Sequence, residues 1–161
     1  MRVRRAVESD IPQLLELMRR LAEFEGYAAH FAVDEETLRE QGFRRQPPDF
    51  HALVVGEAGA LVGMLVYYLV PFTFRARPTL YVKELYVVES ARGRRVGEEL
   101  MRAAAGEALR RGCAAIKWQV ADWNRDGRRF YERLGAAADP VWIDFALNEA
   151  AVEALAKGER A

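Results

Sequence analysis

Apolar residues recur at two different spacings along this 161-residue chain, and the spacing separates predicted helices from predicted strands. Steps of three and four residues between positions 11 and 22 predict an amphipathic helix, because one helical face returns about every 3.6 residues. The apolar stripe consists of Ile11, Leu14, Leu15, Met18, Leu21 and Ala22. We expect Ser9 and Asp10 to cap this helix, Pro12 to lie in its first turn and Gly26 to end it.

Shorter apolar stretches predict the strands of the first half of the chain. Residues 2–7 alternate enough to form an opening strand. Residues 50–56 and 61–70 are predicted to form a hairpin, because the turn between them contains Ala58 and Gly59. A second short helix is expected to begin at Asp34-Glu35-Glu36 and to stop near Gly42, before Pro47-Pro48 breaks the chain.

The second half is predicted to alternate strands and helices. The expected elements are a strand at 79–88, a helix at 95–111 closed by Gly112, a buried strand at 114–121, a helix from Asn124 to Gly135, a strand at 141–147 and a terminal helix capped by Asn148. An early antiparallel meander followed by strand–helix–strand units indicates one mixed α/β domain over residues 1–161.

Composition excludes several classes of function. Formal net charge is zero, so composition gives no reason to expect nucleic-acid binding. The single cysteine, Cys113, excludes an internal disulfide and a cysteine-based zinc cluster, and His30 and His51 are too few for a rich metal site. The apolar run at 60–72 is too short to span a bilayer, and no signal peptide is recognised, so we expect a cytoplasmic protein without metal.

The most informative stretch is the basic turn, residues 92–97, which reads Arg-Gly-Arg-Arg-Val-Gly. It follows an apolar strand and opens a long amphipathic helix. The first backbone N–H groups of a helix are unpaired and lie at the positive end of its dipole, so they form a site for phosphate. Neither a Gly-x-x-x-x-Gly-Lys-Ser/Thr loop nor a Gly-x-Gly-x-x-Gly fingerprint occurs in the chain.

Three sets of residues carry a resemblance to a known family. The basic turn resembles the Arg/Gln-x-x-Gly-x-Gly/Ala turn of the GNAT acetyltransferases, and Asn124 followed by the segment 130–136, Phe-Tyr-Glu-Arg-Leu-Gly-Ala, resembles a second GNAT motif. Residues 21–25, 34–43, 50–54 and 120–124 are similar to the diamine (spermidine/spermine) and thialysine N-acetyltransferase branch. The resemblance implies the GNAT fold, in which one mixed central sheet is flanked by helices, together with acetyl-coenzyme A as co-substrate and a homodimer.

The resemblance also implies which residues hold the cofactor. They are Leu85, Tyr86, Val87, Arg92, Gly93, Arg94, Arg95, Val96, Gly97, Glu98, Asn124, Gly127 and Tyr131. The alternatives are a solvated basic helix start for the turn, ordinary strand packing for residues 85–87, and a plain helix cap for Asn124. Arg95 replaces the first glycine of the motif, which is sterically acceptable if Arg95 already lies in the first turn of the helix.

Two residues are expected to carry the chemistry. Tyr131 matches the tyrosine of the second motif and is our candidate general acid, because a phenol with a pKa near ~10 can protonate a leaving thiolate. Glu84 is the candidate base, acting on the ammonium of the acceptor. The branch has two adjacent acids here, whereas this chain has Lys83 before Glu84. The alternatives are a packed aromatic for Tyr131 and an ion-paired surface glutamate for Glu84.

Four residues are candidates for acceptor binding. Phe24 and Glu25 match the end of the first helix in that branch, where a carboxylate attracts an amine. Arg75 and Arg77 lie in the loop at 72–78, and two guanidinium groups would repel a polyamine and favour an anionic group on the acceptor. Solvent exposure is the alternative for all four.

We therefore expect an acetyl-coenzyme A-dependent N-acetyltransferase that acts by direct transfer on a small primary amine, diamine-, thialysine- or amino-acid-like. The alternatives are a protein or peptide N-acetyltransferase and a non-catalytic acyl-coenzyme A-binding module. No nucleic acid or membrane is expected as a partner.

Overall fold

The computed structural model describes residues 2–71, 74–141 and 143–158. Its strands are β1 (Val3–Arg5), β2 (His51–Glu57), β3 (Ala60–Val70), β4 (Thr79–Val87) and β5 (Ala115–Lys117). Its α-helices are α1 (Ile11–Glu25), α2 (Glu35–Arg39), α3 (Val96–Arg110), α4 (Arg125–Arg133) and α5 (Glu149–Ala156). The elements expected from the periodic segments are therefore present except for the last predicted strand.

The strands described form one mixed sheet in the order β1-β2-β3-β4-β5. The first four pair antiparallel, and β5 pairs parallel to β4. The β2–β3 hairpin turns at Ala58 and Gly59, which both have positive φ, as expected from the sequence. This sheet, with helices packed on it, confirms the expected α/β fold class.

Helix α1 covers one face of the sheet. All six residues of its predicted stripe are buried, and they share a core with Met64 and Val66 of β3. The helix ends at Gly26, whose left-handed φ of 82° suits glycine. The predicted cap is not formed, because the Asp10 side chain accepts no hydrogen bond from the first amides of α1. Its carboxylate instead accepts hydrogen bonds from the Val7 amide and the Arg4 guanidinium.

Helix α3 packs on the opposite face, at Gly63 of β3. Successive strand residues point to opposite faces, so Gly63 faces α3 while Met64 faces α1. A β-carbon added at Gly63 would lie 2.9 Å from Val96 Cγ1 and 3.2 Å from Leu100 Cδ1. Glycine at this position therefore lets the start of α3 approach the sheet.

Helix α2 begins as predicted, with the Asp34 carboxylate accepting from the Thr37 amide. It continues beyond Gly42 as a π-helical segment, Glu40–Arg44. The Phe50 ring packs against the backbone of Gly42, where an added β-carbon would lie 2.4 Å from a ring carbon. This contact seats α2 against the first residues before β2.

The strand predicted at 114–121 is much shorter and is not buried. Only Ala115–Lys117 pairs with β4, and these residues are half-buried or exposed. The register ends at Tyr81 and Lys117, after which the two strands no longer pair. A strand needs a neighbour to satisfy its backbone groups, so the predicted strand stops where the pairing stops.

The strand predicted at 141–147 is wrong for the residues described there, because no strand is formed at 141 or at 143–147. Trp142 lies outside the described residues. Val141, Ile143 and Phe145 are 74%, 80% and 94% exposed. The terminal helix follows as predicted, with the Asn148 side chain accepting from the Ala151 amide.

The chain divides into two compact units, Met1–Asn124 and Arg125–Ala161. The first unit contains the sheet with α1, α2 and α3, and the second contains α4 and α5. Within the described ranges, no helix combines the length and the apolar character needed to cross a bilayer.

Candidate active site

A bulge in β4 is the structural centre of the candidate site. Val82 pairs with Tyr67 of β3, and Glu84 pairs with the preceding residue, Val66. Lys83 is therefore an extra residue with no partner opposite it in β3. Bulges re-aim side chains and are common beside active sites, and this one orients Glu84 to the α1 face of the sheet.

One edge of β4 is open next to this bulge. The β5 strand pairs with β4 only from Thr79 to Tyr81, so the edge that carries Leu85, Tyr86 and Val87 has no strand neighbour among the described residues. Backbone N–H and C=O groups on such an edge can bind a ligand that lies along it, although the Val87 carbonyl already accepts from the Arg92 side chain. The Tyr81 hydroxyl hydrogen-bonds to Gln119 Oε1 at 3.0 Å, next to the point where the strands separate.

The Glu84 carboxyl group is unusual in having an enclosed oxygen without a partner. Its Oε2 atom is shielded from solvent and accepts no hydrogen bond from any described residue. Burial raises the pKa of Glu84 to about 7, and nearby Glu25 raises it further, while Lys83 opposes the shift. A carboxyl group with a pKa near neutrality can both accept and release a proton at physiological pH.

The groups around Glu84 come from α1, from the residue after its end and from β3. Burial raises the pKa of Tyr27 to about 12, and the charges of Glu84 and Glu25 add to the effect. Burial and the Glu84 charge also raise the pKa of Tyr68. Partial burial raises the pKa of Glu25, although Lys83 lowers it. Both phenols therefore stay neutral near pH 7, and the charges of the site belong to Glu25, Lys83 and Glu84.

The basic turn has the geometry of an anion-binding helix start, but not in the way that the sequence suggested. Helix α3 begins at Val96, and Arg95 is its N-cap, with a left-handed φ of 61° rather than a position in the first helical turn. Gly93 is also left-handed, with φ of 74°. No side chain caps the helix, and the first α-helical hydrogen bond that involves Arg95 runs from the Glu99 amide to the Arg95 carbonyl.

The three arginines of the turn have different partners. Arg92 donates to the Val87 carbonyl at 3.1 Å and lies over the rings of Phe24 and Tyr86, at 5.5 and 5.9 Å from their centroids. Arg94 pairs with both carboxylate oxygens of Glu57, at 2.9 and 2.5 Å. Arg95 is exposed and, within the part of the chain that the structure describes, has no ion-pair partner.

An open cleft of about 690 Å³ adjoins the turn. Phe24 of α1, Tyr86 of β4 and Arg92 contribute to its wall. Phe24 also contacts Trp123, with ring centroids 5.5 Å apart. The structure thus brings Phe24 together with Tyr86 and Arg92, and Glu25 together with Glu84.

The two loop arginines do not share one environment. Arg77 donates to the carbonyl oxygens of Gly112 and Cys113 at 2.8 and 2.9 Å, at the carboxyl end of α3. Arg75 lies over the ring of Phe74, 5.3 Å from its centroid. Phe72 and Thr73 of the same predicted loop lie outside the described residues.

Tyr131 and Gly127 lie in the second unit, on α4, and Asn124 directly precedes that helix. Tyr131 is half-buried, and its ring lies 5.1 Å from the ring of Phe130. Its carbonyl oxygen accepts from the amides of Leu134 and Ala136, which closes the helix at Gly135. The predicted helix from Asn124 to Gly135 is confirmed by these contacts.

Sequence reasoning missed Tyr27 and Tyr68. Tyr27 follows the glycine that ends α1 and is two residues from Glu25, so its position next to a candidate carboxylate was a usable signal. Tyr68 alternates with Met64 and Val66 on β3, but only the pairing register with β4 relates this face to Glu84.

Comparison with known proteins finds similar sequences among acetyltransferases. The model of the acetyltransferase (GNAT) family matches residues 12–136. The mouse (Mus musculus) thialysine N-epsilon-acetyltransferase is 32% identical over 96% of this chain and 96% of its own length. The pig (Sus scrofa) thialysine N-epsilon-acetyltransferase is 34% identical over 83% of this chain and 82% of its own length.

A solved structure is similar over nearly the whole fold. The integron cassette protein from the mobile metagenome of V. cholerae superposes with a TM-score of 0.79, covering 96% of each chain at 21% sequence identity. At that identity, the likeness supports the fold alone.

Proposed function

The chain belongs to the acetyltransferase (GNAT) family, and from that membership we propose that it moves an acetyl group from acetyl-coenzyme A to a primary amine of a small molecule by direct transfer. The single observation that carries the proposal within the site concerns Glu84: its Oε2 atom is enclosed and has no hydrogen-bond partner among the described residues, and burial raises the pKa of the carboxyl group to about 7. A glutamate in a surface ion pair would have exposed, partnered oxygens and no raised pKa.

The proposed role of Glu84 is to take a proton from the acceptor. An alkyl ammonium with an ordinary pKa near ~10.4 must lose a proton before its nitrogen can attack. Glu84 takes that proton, directly or through water, and the neutral nitrogen then bonds to the acetyl carbon as the carbon–sulfur bond breaks. The proposed general acid, the Tyr131 phenol, gives its proton to the departing thiolate, and the excess proton on the newly acylated nitrogen restores the phenol. The support for Tyr131 is its place in the Phe130-Tyr131…Gly135 motif.

The proposed cofactor contacts use two backbone features. The left-handed basic turn leaves the amides of Val96, Gly97 and Glu98 at the free start of α3, which suits a pyrophosphate. The unpaired edge of β4 at residues 85–87 suits the amide-containing arm of coenzyme A, and donors on that edge can stabilise the oxyanion of the thioester. Asn124 and Gly127 remain proposed contacts from the family motif. Arg95, rather than Arg94, is the turn arginine proposed to meet phosphate, since Glu57 pairs with Arg94.

The proposed acceptor is a small amine that also carries an anionic group, such as an amino-acid-like or thialysine-like compound. The names of the mouse and pig relatives support this class. Phe24 and Glu25 are proposed to line the acceptor side, because Glu25 lies next to Glu84. Arg75 is kept as a proposed contact, whereas Arg77 is committed to the carboxyl end of α3. We further propose a cytoplasmic homodimer that needs no metal.

The proposal is tested by measuring coenzyme A release with acetyl-coenzyme A and a library of amino acids, diamines, polyamines and aminoglycosides. We expect turnover with amino-acid-like amines, a loss of about 10²–10⁴-fold in kcat for Glu84→Gln, and a comparable loss for Tyr131→Phe. The rate of the wild type should fall as the pH drops through about 7, because Glu84 is then protonated. The matched control is Glu132→Gln, which removes an exposed carboxylate next to Tyr131 and should leave kcat unchanged.

Two other functions are separated by the same assay. Turnover only with peptides would identify a protein or peptide N-acetyltransferase. Heat on titration with acetyl-coenzyme A, together with no release from any amine, would identify a non-catalytic binding module. No heat and no turnover from folded protein would contradict the proposal as a whole.

A further inference from the structure

Lys83 lies in the β4 bulge, directly before Glu84. It is the extra residue of the β4 bulge, between Val82, which pairs with Tyr67, and Glu84, which pairs with Val66. It is exposed, whereas the Oε2 atom of its neighbour Glu84 is enclosed. The bulge therefore combines a solvent-facing ammonium and a sheltered carboxyl group in consecutive residues.

The charge of Lys83 acts on the acids of the site without being neutralised by one of them. Lys83 lowers the pKa of Glu25 and of Glu84, against the larger effect of burial in both cases. Among the residues that the structure describes, no carboxylate lies within 4.0 Å of the Lys83 amine, the distance that defines the recorded ion pairs. Its three N–H donors are consequently free to meet an anion from solution.

The arrangement of charges is complementary to a particular head group. When the reacting amine occupies Glu84, the two charged groups that act on Glu84 remain, the Glu25 carboxylate and the Lys83 ammonium. The other groups around Glu84, Tyr27 and Tyr68, are neutral phenols near pH 7 because their pKa values are raised. One negative and one positive side chain match the ammonium and the carboxylate of an amino acid.

We propose that Lys83 is a specificity-determining residue that binds the α-carboxylate of a diamino acid, while Glu25 binds the α-ammonium and the side-chain amine reacts at Glu84. This inference rests on the proposed function and deepens it. A diamine or polyamine lacks the carboxylate and would leave Lys83 without a partner beside a second positive charge. Selectivity at this residue therefore combines an attraction for one acceptor with a repulsion of the other.

The test compares acceptors that differ only by the carboxylate. Ornithine is paired with putrescine, and lysine with cadaverine, and kcat/KM is measured for each with acetyl-coenzyme A. We expect the wild type to prefer both amino acids. Lys83→Gln should reduce the preference by about tenfold, mainly through KM, because a charge-assisted hydrogen bond that is equal in ground and transition states is lost. Lys83→Glu should invert the preference.

Two further variants serve as controls. Lys117→Gln removes an exposed lysine from the neighbouring strand β5 and should leave all four values unchanged. Arg75→Gln tests the competing source of positive charge. The inference is overturned if the wild type prefers the diamines, if both Lys83 variants keep the wild-type ratios, or if Arg75→Gln alone removes the preference.

Failure of this inference is distinguishable from failure of the proposed function. Turnover of amines with ratios that are insensitive to residue 83 overturns only the role of Lys83. Absence of coenzyme A release with every amine overturns the proposed function and this inference with it. Melting temperatures equal to that of the wild type exclude misfolding as the cause, and we expect them because Lys83 is exposed and forms no ion pair with the described residues.

Discussion

Arg95 adopts a left-handed backbone conformation although it has a β-carbon. Its φ of 61° places the β-carbon close to the backbone, at a cost of about 1–2 kcal/mol for a residue other than glycine. The position matches the first glycine of the family motif, so the motif describes a real conformational requirement here. Arg95 meets that requirement with strain, and its exposed guanidinium adds positive charge beside the free amides of α3.

Replacing Arg95 by glycine is predicted to stabilise the fold. The relief of strain exceeds the extra backbone entropy of glycine in the unfolded chain, so we expect a gain of about 0.5–1 kcal/mol in the free energy of unfolding. Arg95→Ala is the matched control, because it removes the charge but keeps the β-carbon, and it should gain little. Urea denaturation measures both. An equal gain for alanine would attribute the effect to charge instead of backbone conformation.

At the scale of elements, the site depends on how α3 is seated on the sheet. Val96 and Leu100 pack over Gly63, in the strand that pairs with β4. The same helix start carries the amides proposed to bind pyrophosphate, and the same stretch of β4 carries the open edge at residues 85–87. The distance between the two proposed halves of the cofactor site is therefore set by the close contact at Gly63.

Gly63→Ala is predicted to destabilise the protein and to weaken the proposed binding of acetyl-coenzyme A. The new β-carbon would lie 2.9 Å from Val96 Cγ1, a stiff branched side chain that cannot rotate away, so we expect a loss of about 1–3 kcal/mol. The double variant Gly63→Ala/Val96→Ala should lose less than the sum of the single variants, because the clash is removed. Additive losses in chemical denaturation would contradict the contact.

At the scale of the whole molecule, apolar residues are exposed in the segment between α4 and α5. Ile143, Phe145 and Leu147 are 80%, 94% and 57% exposed. They alternate along the chain, so an extended conformation would place them on one face. Exposed apolar side chains in such a row are typical of an association surface, and this supports the homodimer that we propose.

Association through this row is predicted to be broken by a charge on its apolar face. Phe145→Asp should shift the protein from dimer to monomer in sedimentation velocity, because a carboxylate would be buried without a partner. Ala146→Asp introduces the same charge on the opposite face of an extended segment and should leave the dimer intact. A monomeric wild type, or a dimer that tolerates both variants, would contradict the proposed interface.

The local pattern of apolar and polar residues was sufficient to predict most of the helices and strands. The six-residue stripe of α1 is wholly buried, and the hairpin turns where Ala58 and Gly59 predicted it. The basic turn opens α3, and Gly26, Gly112 and Gly135 all take the left-handed conformation that ends a helix. These features depend on residues within one or two turns of one another, so the chain itself carries the whole signal.

Partners distant in sequence decided the rest. A strand at 141–147 would need a neighbouring strand to pair with, and the alternation of apolar residues does not show whether such a neighbour is present. Arg94 and Arg77 were proposed for ligands, but Glu57 and the carbonyl of Gly112 hold them within the fold. No pattern of charges along the chain indicates which arginines a fold uses for itself.

The sequence by itself determined the order of helices and strands up to α4, the basic turn and the presence of a glutamate in β4. Only the tertiary structure decided that the Oε2 atom of this glutamate is enclosed without a partner among the described residues, and that burial raises the pKa of its carboxyl group to about 7, because folding sets the bulge register and the packing around it. Burial and pairing are properties of the surroundings of a residue, and those surroundings come from segments that the local pattern does not connect.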